Sequence, residues 1–249
     1  MPQSSKISIS IVSHLQAGLL NDILHDLQAY CDTPLEVILT LNVPEPLAFD
    51  VSEFKFPVHL IRNDHIKGFA ANHNAAFRFA RSDLFCVLNP DVRLEQDPFP
   101  YLNAMLSNPT IGVAAPLILN FAGEVEGSAR KFPTPLSIFH KLLMRRPLLD
   151  YPIGDVAVFP DWVAGMFMIF RAELYQMIGG FDEGYFLYYE DVDICWRLRR
   201  HGYDVALLPS VQVTHAARRT SHQDLQFLVW HVSSMLRFFT KRALEYIGY

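Results

Sequence analysis

Apolar and polar residues alternate along Ile7-Ser8-Ile9-Ser10-Ile11-Val12, and the β-branched side chains predict a strand. Over 19–30 the apolar positions recur at helical spacing, and 35–39 returns to a strand pattern. The succession repeats, with a strand over 57–61, a helix over 70–80, a continuously apolar strand over 84–88 and a helix over 98–106. Strands that alternate with helices predict a mainly parallel sheet covered on both faces. Ligands of such sheets gather at the C-terminal ends of the strands, so the residues just after each strand are the first candidates for chemistry.

Residues 120–160 break the pattern with Gly123, Gly127, Pro133, Pro135, Pro147 and Pro152, which predicts a variable insert or loop region. Regular structure is expected again as a strand over 163–170, a short helix over 172–178, an acidic helix over about 190–201, and strands over 205–208 and 211–215. Further on, Leu225, Val229, Val232, Leu236, Phe239 and Ala243 recur at spacings of four and three, the stripe of an amphipathic helix. The chain thus divides into a main domain over 1–221 and a C-terminal helical extension over 222–249. Two compatible readings of the extension are open: packing on the domain or on a sister subunit of a homodimer, and peripheral contact with anionic lipid through Arg237, Lys241 and Arg242 near its end.

Half of the 249 residues are apolar, enough for the core of one large α/β domain. A net charge of −5 argues against nucleic acid as the main partner. Cys31, Cys86 and Cys195 lie far apart without C-x-x-C spacing, which fits a reducing compartment and no structural zinc. Cytoplasmic residence is expected, because the polar start Pro2-Gln3-Ser4-Ser5-Lys6 is unlike a signal region and no run approaches the roughly 18 apolar residues of a membrane span.

Asn89-Pro90-Asp91 follows the strand over 84–88, and the proline turns the chain so that Asp91 projects past the sheet edge. One oxygen ligand there suits Mg²⁺ or Mn²⁺, which keep positions for diphosphate oxygens and water; a plain turn with Asp91 as a cap is the competing reading. Arg62-Asn63-Asp64 and then Gly68-Phe69-Ala70-Ala71-Asn72-His73-Asn74 open a helix rich in small residues, which suits either close approach of a phosphate or sugar or tight helix-to-sheet packing. His73 reads as a surface or packing residue. His215 ends a strand, and Arg218 and Arg219 follow; their guanidinium groups match phosphate oxygens, while His215 alone reads as structural.

The most informative stretch is Gly179 to Arg200, where Gly179-Gly180-Phe181-Asp182-Glu183 and the aromatic run Tyr185-Phe186-Leu187-Tyr188-Tyr189 feed Glu190-Asp191-Val192-Asp193 into a helix. A carboxylate on the first turn is held by free backbone N–H groups and by the helix dipole, so it suits a general base. Successive helical residues point about 100° apart, so Glu190, Asp191 and Asp193 diverge and one of them serves. Asp182 and Glu183 also fit turn or capping roles, and the aromatic run fits either core or a platform on which an acceptor sugar stacks.

Together these stretches resemble the inverting nucleotide-sugar glycosyltransferases of family 2, with the GT-A fold, and are most similar to bacterial rhamnosyltransferases of O-antigen, lipopolysaccharide and other cell-surface polysaccharides. The likeness runs from about Ile7 onward and is most specific across Trp162-Val163-Ala164-Gly165, Gly179 to Arg200 and Pro209 to His215. It implies that Asp191 is the base and that Asp91 and His215 hold Mg²⁺ or Mn²⁺ on the diphosphate. It implies donor contacts from Ser13, Asn42, Asn63, Gly68, Phe69, Asn72, Asn89, Arg130 (within Ser128-Ala129-Arg130-Lys131-Phe132-Pro133), Gly165, Arg218 and Arg219. Acceptor contacts are implied for Trp162, Tyr188 and Glu190, with a glycan or polyprenyl-linked glycan as acceptor at the cytoplasmic face of the inner membrane. Two motifs depart from the family pattern: Thr40-Leu41-Asn42-Val43 stands where Asp-Asn-Ala-Ser is usual, and Ser13-His14-Leu15 where Ser-Tyr-Asn is usual. The expected donor is dTDP-L-rhamnose; the rivals are another UDP-, GDP- or dTDP-sugar, or a subunit that binds nucleotide or carbohydrate without turnover.

Overall fold

The computed structural model describes residues 6–138, 149–216 and 225–247. Eight strands form one sheet in the order β3-β2-β1-β4-β9-β6-β10-β5. Its first half is parallel: β1 (Ile7–Ser13) lies between β2 (Leu35–Leu41) and β4 (Leu84–Leu88), and β3 (Val58–Arg62) edges β2. Helices α1 (Ala17–Tyr30), α2 (Phe69–Phe77) and α3 (Phe99–Leu106) alternate with these strands as the periodicity predicts.

β1 shows why alternation does not mean a wet face here. Ile7, Ile9 and Ile11 enter one core, and Ser8 and Ser10 point the other way yet are also fully buried. Their hydroxyls are satisfied, Ser8 Oγ by Glu36 at 2.6 Å and Ser10 Oγ by His73 Nδ1 at 2.8 Å. His73 is therefore a packing residue, and burial pushes its imidazole down to about 3, so it stays neutral.

Three features differ from the periodicity. The nine apolar residues Ile111–Leu119, to which it assigns no element, are β6, deep in the sheet. The strand expected over 163–170 is two pieces, β8 (Trp162–Val163) and β9 (Phe167–Arg171), because Ala164-Gly165-Met166 leaves the ladder. β8 instead pairs with β7 (Ala129–Arg130), while β9 runs antiparallel between β4 and β6. The two expected strands near residue 210 are one, β10 (Asp204–His215), whose register against β6 shifts between Leu208 and Gln212. Its end pairs with the short β5 (Val92–Arg93), Thr214 opposite Arg93 and His215 opposite Val92. That pairing sets His215 beside the residue preceding β5, Asp91.

α4 (Ala172–Met177) leads to the aromatic run and to the acidic helix α5 (Glu190–Arg200). The last described element, α6 (Leu225–Ile247), packs on the domain through a face other than the apolar stripe. Ser234 and Phe238 are buried, whereas Leu225, Val229, Val232 and Leu236 are exposed and only Phe239 of the stripe packs inward. Arg237 and Lys241 bond Asp182, Lys241 reaches Asp193, and Arg242 lies 4.0 Å from the Trp196 ring centre. Arg237, Lys241 and Arg242, which the second of the two readings offers to lipid, thus make these contacts with the protein. Among the described residues no helix is long and apolar enough to cross a membrane.

Candidate active site

Two consecutive left-handed residues, Tyr188 (φ 70°) and Tyr189 (φ 68°), turn the chain into α5. A side chain in this region costs about 1–3 kcal/mol, so the surroundings must hold it. They do so from α6: Ser234 Oγ bonds the Leu187 carbonyl at 2.9 Å, Trp230 packs on Phe186, and His231 and Phe238 contact Tyr189. Tyr188 also faces His231, so its ring is part of this brace.

Asp191 follows on the first turn of α5, partly exposed. Its Oδ1 accepts from the Val192 amide at 2.8 Å and its Oδ2 from the Gly165 amide at 3.0 Å. The broken ladder at 164–166 frees that amide. The same segment bonds Ser128 through the Ala164 amide and receives the Asn89 amide at the Met166 carbonyl, joining three candidate stretches in one hub. Desolvation raises the Asp191 carboxyl above its ordinary range against the opposing pull of the two amides and Arg130. Glu190 is buried, with Oε2 lacking any hydrogen-bond partner. Burial first and the charge of Asp191 second hold its carboxyl well up, so Glu190 diverges from Asp191 in direction but not beyond reach of its charge. It has little surface left to offer an acceptor. Asp193 points elsewhere, into ion pairs with Arg197 and Lys241.

A Cβ at Gly165 would lie 3.3 Å from Phe69 Cζ, a tight approach, and 3.6 Å from Asp191 Cβ, an ordinary contact. Phe69 therefore forms one wall beside Asp191. Arg130 lies 5.8 Å from the ring centre of Trp162, whose Nε1 donates to the Lys131 carbonyl, so this pair flanks the same hub. Gly68 is required by packing, since a Cβ would meet the Phe186 carbonyl oxygen at 2.5 Å, and that oxygen already accepts from the Phe69 amide.

Behind this wall Asn42, Asn63 and Asn72 form a buried network. Asn42 Nδ2 donates to His14 Nδ1 and the Lys67 carbonyl, and its Oδ1 accepts from Asn63 Nδ2 and the Lys67 amide. That uses the full capacity of one amide and leaves nothing for a nucleobase. Asn63 also bonds Asn72 Oδ1 at 2.7 Å. Ser13 is fully buried and donates to Glu45, which caps the start of α1 through the Ala17 amide. These four side chains shape the loops instead of reaching solvent.

At the sheet edge His215 Nε2 is 3.2 Å from Asp91 Oδ2, and Nδ1 is 2.9 Å from Glu126 Oε2. Burial lowers the imidazole's affinity for a proton, but the bonds and charges of Asp91 and Glu126 outweigh it and the net shift is upward. Asp91 Oδ1 is buried without a partner. An orphaned carboxylate oxygen beside an imidazole fits a divalent cation, whose right-angled ligands at about 2.1 Å would lie about 3 Å apart. Among the described residues no three His, Cys, Asp or Glu side chains enclose a metal unaided. Glu126 carries no motif signal in the sequence. Arg218 and Arg219 lie outside the described residues.

Comparison with known proteins gives the family and the fold. A family model described as "Glycosyltransferase like family 2" matches residues 33–229. The rhamnosyltransferase WbbL of Escherichia coli K12 is 27% identical over 258 residues, 96% of this chain and 94% of its own length. The N-acetylglucosaminyl-diphospho-decaprenol L-rhamnosyltransferase of Mycobacterium tuberculosis is 29% identical over 178 residues, 64% of this chain and 56% of its own. Among solved structures, GalNAc-T7 with UDP, GalNAc and Mn²⁺ superposes with a TM-score of 0.66 at 18% identity, covering 87% of this chain and 44% of that one. The mannosyltransferase PcManGT of Pyrobaculum calidifontis with GDP-Man and Mn²⁺ gives 0.63 at 19% identity, over 95% and 65%. At these identities the superpositions establish the GT-A fold alone.

Proposed function

We propose, from the premise that the chain belongs to glycosyltransferase-like family 2, that it transfers L-rhamnose from dTDP-L-rhamnose, with inversion, to a hydroxyl of a glycan or polyprenyl-linked glycan. The observation that carries the reading is the Asp191 carboxylate, fixed by the Gly165 and Val192 amides at the mouth of the hub that also gathers Arg130, Trp162 and Phe69. The choice of rhamnose rests on the two rhamnosyltransferase relatives.

In this mechanism Asp191 accepts the proton of the acceptor hydroxyl as its oxygen bonds the anomeric carbon from the face opposite the nucleoside diphosphate. The carbon–oxygen bond to the diphosphate breaks and its electron pair leaves with that group, so configuration inverts without a covalent enzyme intermediate. The Gly165 amide holds Oδ2 and so orients the carboxylate for the hydroxyl. Arg130 lends positive charge beside the reacting centre, and Trp162 and Phe69 shape it. Asp91 and His215 would hold Mg²⁺ or Mn²⁺, which when bound neutralises charge growing on the departing diphosphate. The buried Asn42 amide and the apolar Leu41 leave base recognition to other groups, so UDP- and GDP-sugars belong in the same test.

The test is sugar transfer and nucleotide release from dTDP-, UDP- and GDP-sugars, in wild type and Asp191→Asn. The reading expects a dTDP preference and loss of transfer in the variant with nucleotide affinity kept. Undiminished transfer by Asp191→Asn sinks the base assignment, and binding without turnover in wild type favours a non-catalytic subunit.

A further inference from the structure

His215 has two ring nitrogens, and each meets a different carboxylate. Asp91 has an unpartnered buried oxygen and so retains capacity for a ligand. Glu126 faces the opposite nitrogen from a pinned backbone: its amide donates to the Ile118 carbonyl at 2.9 Å, and its carbonyl accepts from the Ser128 amide at 2.7 Å. The bridge between Leu119 and Val125 closes the turn before it. Because β6 pairs with β10 up to Leu119 opposite Thr214, the strand end that delivers Glu126 is the neighbour of the one that delivers His215.

We propose that Glu126 is a positioning residue for His215: it accepts the Nδ1 proton and so presents the Nε2 lone pair toward Asp91 and the cation carried by the donor diphosphate. The inference rests on the metal reading above. A neutral imidazole has one N–H; with a cation on Asp91, Nε2 would face it as a bare lone pair, so the proton stays on Nδ1, where Glu126 accepts it. Without Glu126 the ring is free to choose either tautomer and to turn. Glu126 itself contributes no ligand, so its effect is carried wholly by His215.

The test is Mn²⁺ binding, read from loss of the free-ion electron paramagnetic resonance signal in the presence of dTDP, UDP or GDP, with circular dichroism confirming that each variant is folded. Asp91→Asn is expected to abolish binding. Glu126→Ala, and Glu126→Met as a variant that keeps the length and removes the acceptor, are each expected to weaken it about 10–100-fold. Glu126→Gln, whose amide oxygen still accepts from Nδ1, is expected to stay within about 3-fold of wild type. If Asp91→Asn abolishes binding while Ala and Met at 126 bind like wild type, this role is overturned and the metal reading stands. If Gln is as weak as Ala, orientation by hydrogen bonding is refuted. If wild type takes up no Mn²⁺ with any of the three nucleotides, both readings fall.

Discussion

Lys241 Nζ lies 2.6 Å from Asp193 Oδ1, a carboxylate with no exposed surface, so the last helix is keyed into the helix that carries Asp191. Arg197 also pairs Asp193 at 2.7 Å and would keep its charge compensated in part. Lys241→Met is therefore expected to cost about 2 kcal/mol, measured by urea denaturation. A cost near zero would mean that the Lys241–Asp193 pair adds nothing net to the docking of α6.

The two faces of α6 give opposite expectations. Val229→Gln and Leu236→Gln alter exposed positions and should change stability by less than about 0.5 kcal/mol, whereas Phe238→Ala, at a fully buried ring, should cost about 3–5 kcal/mol. Comparable losses at all three would show the helix docked by the stripe after all.

Gly68→Ala sets a new methyl against the Phe186 backbone, which cannot swing aside, and should destabilise by about 1–3 kcal/mol. Gly165→Ala presses only on the Phe69 ring edge and leaves Asp191 at an ordinary contact distance, so the fold should survive and kcat should fall by less than about 10-fold. Thermal melts and steady-state rates on the same samples separate the two effects.

For the base, pH gives an independent check. Because desolvation raises the Asp191 carboxyl, the transfer rate should fall as pH drops through a value above the ordinary aspartate range, and Asp191→Asn should lose about 10²–10⁴-fold in kcat. A rate flat down to ordinary aspartate pKa values would contradict the desolvated setting.

Glu190 yields a stability prediction of definite sign. Its folded carboxyl keeps a proton in a window where the unfolded chain has lost it, so stability declines as pH rises through that window. Glu190→Gln does not titrate and should be more stable than wild type by roughly 1–3 kcal/mol at neutral pH, with the gain vanishing near about pH 4. Melting curves that keep the same offset at every pH would disprove it.

Much of the architecture was legible because helices and strands impose different periods on their apolar residues. β6 escaped that logic: buried on both faces it has no alternation, and Gly112 and Pro116 point away from a strand. The proline is tolerated where β10 shifts register, since Pro116 pairs with Leu208 just before the shift. The stripe of α6 was legible as a stripe, but the face that docks was not, because the docking face is a mixture of Ser234, Phe238, Lys241 and Arg242 that no hydrophobic pattern reveals. Asp191 and Asp91 stood out through their places at element ends, whereas His215 alone read as structural and was joined to Asp91 only by the family resemblance; the structure puts Asp191 at a helix start and His215 beside Asp91 at the sheet edge. The asparagines looked like ligand contacts from sequence alone, since an amide that braces a loop and one that binds a base are written with the same letter.

The left-handed pair Tyr188–Tyr189 gives translation a direction. Every strand of the sheet and the acidic helix leave the ribosome before α6, which holds that unfavourable turn in place. A nascent chain stalled ahead of α6 is thus expected to have its sheet while the Asp191 turn relaxes toward ordinary backbone angles. Competence would come as a late event of synthesis, visible as nucleotide binding that precedes sugar transfer on arrested chains of increasing length.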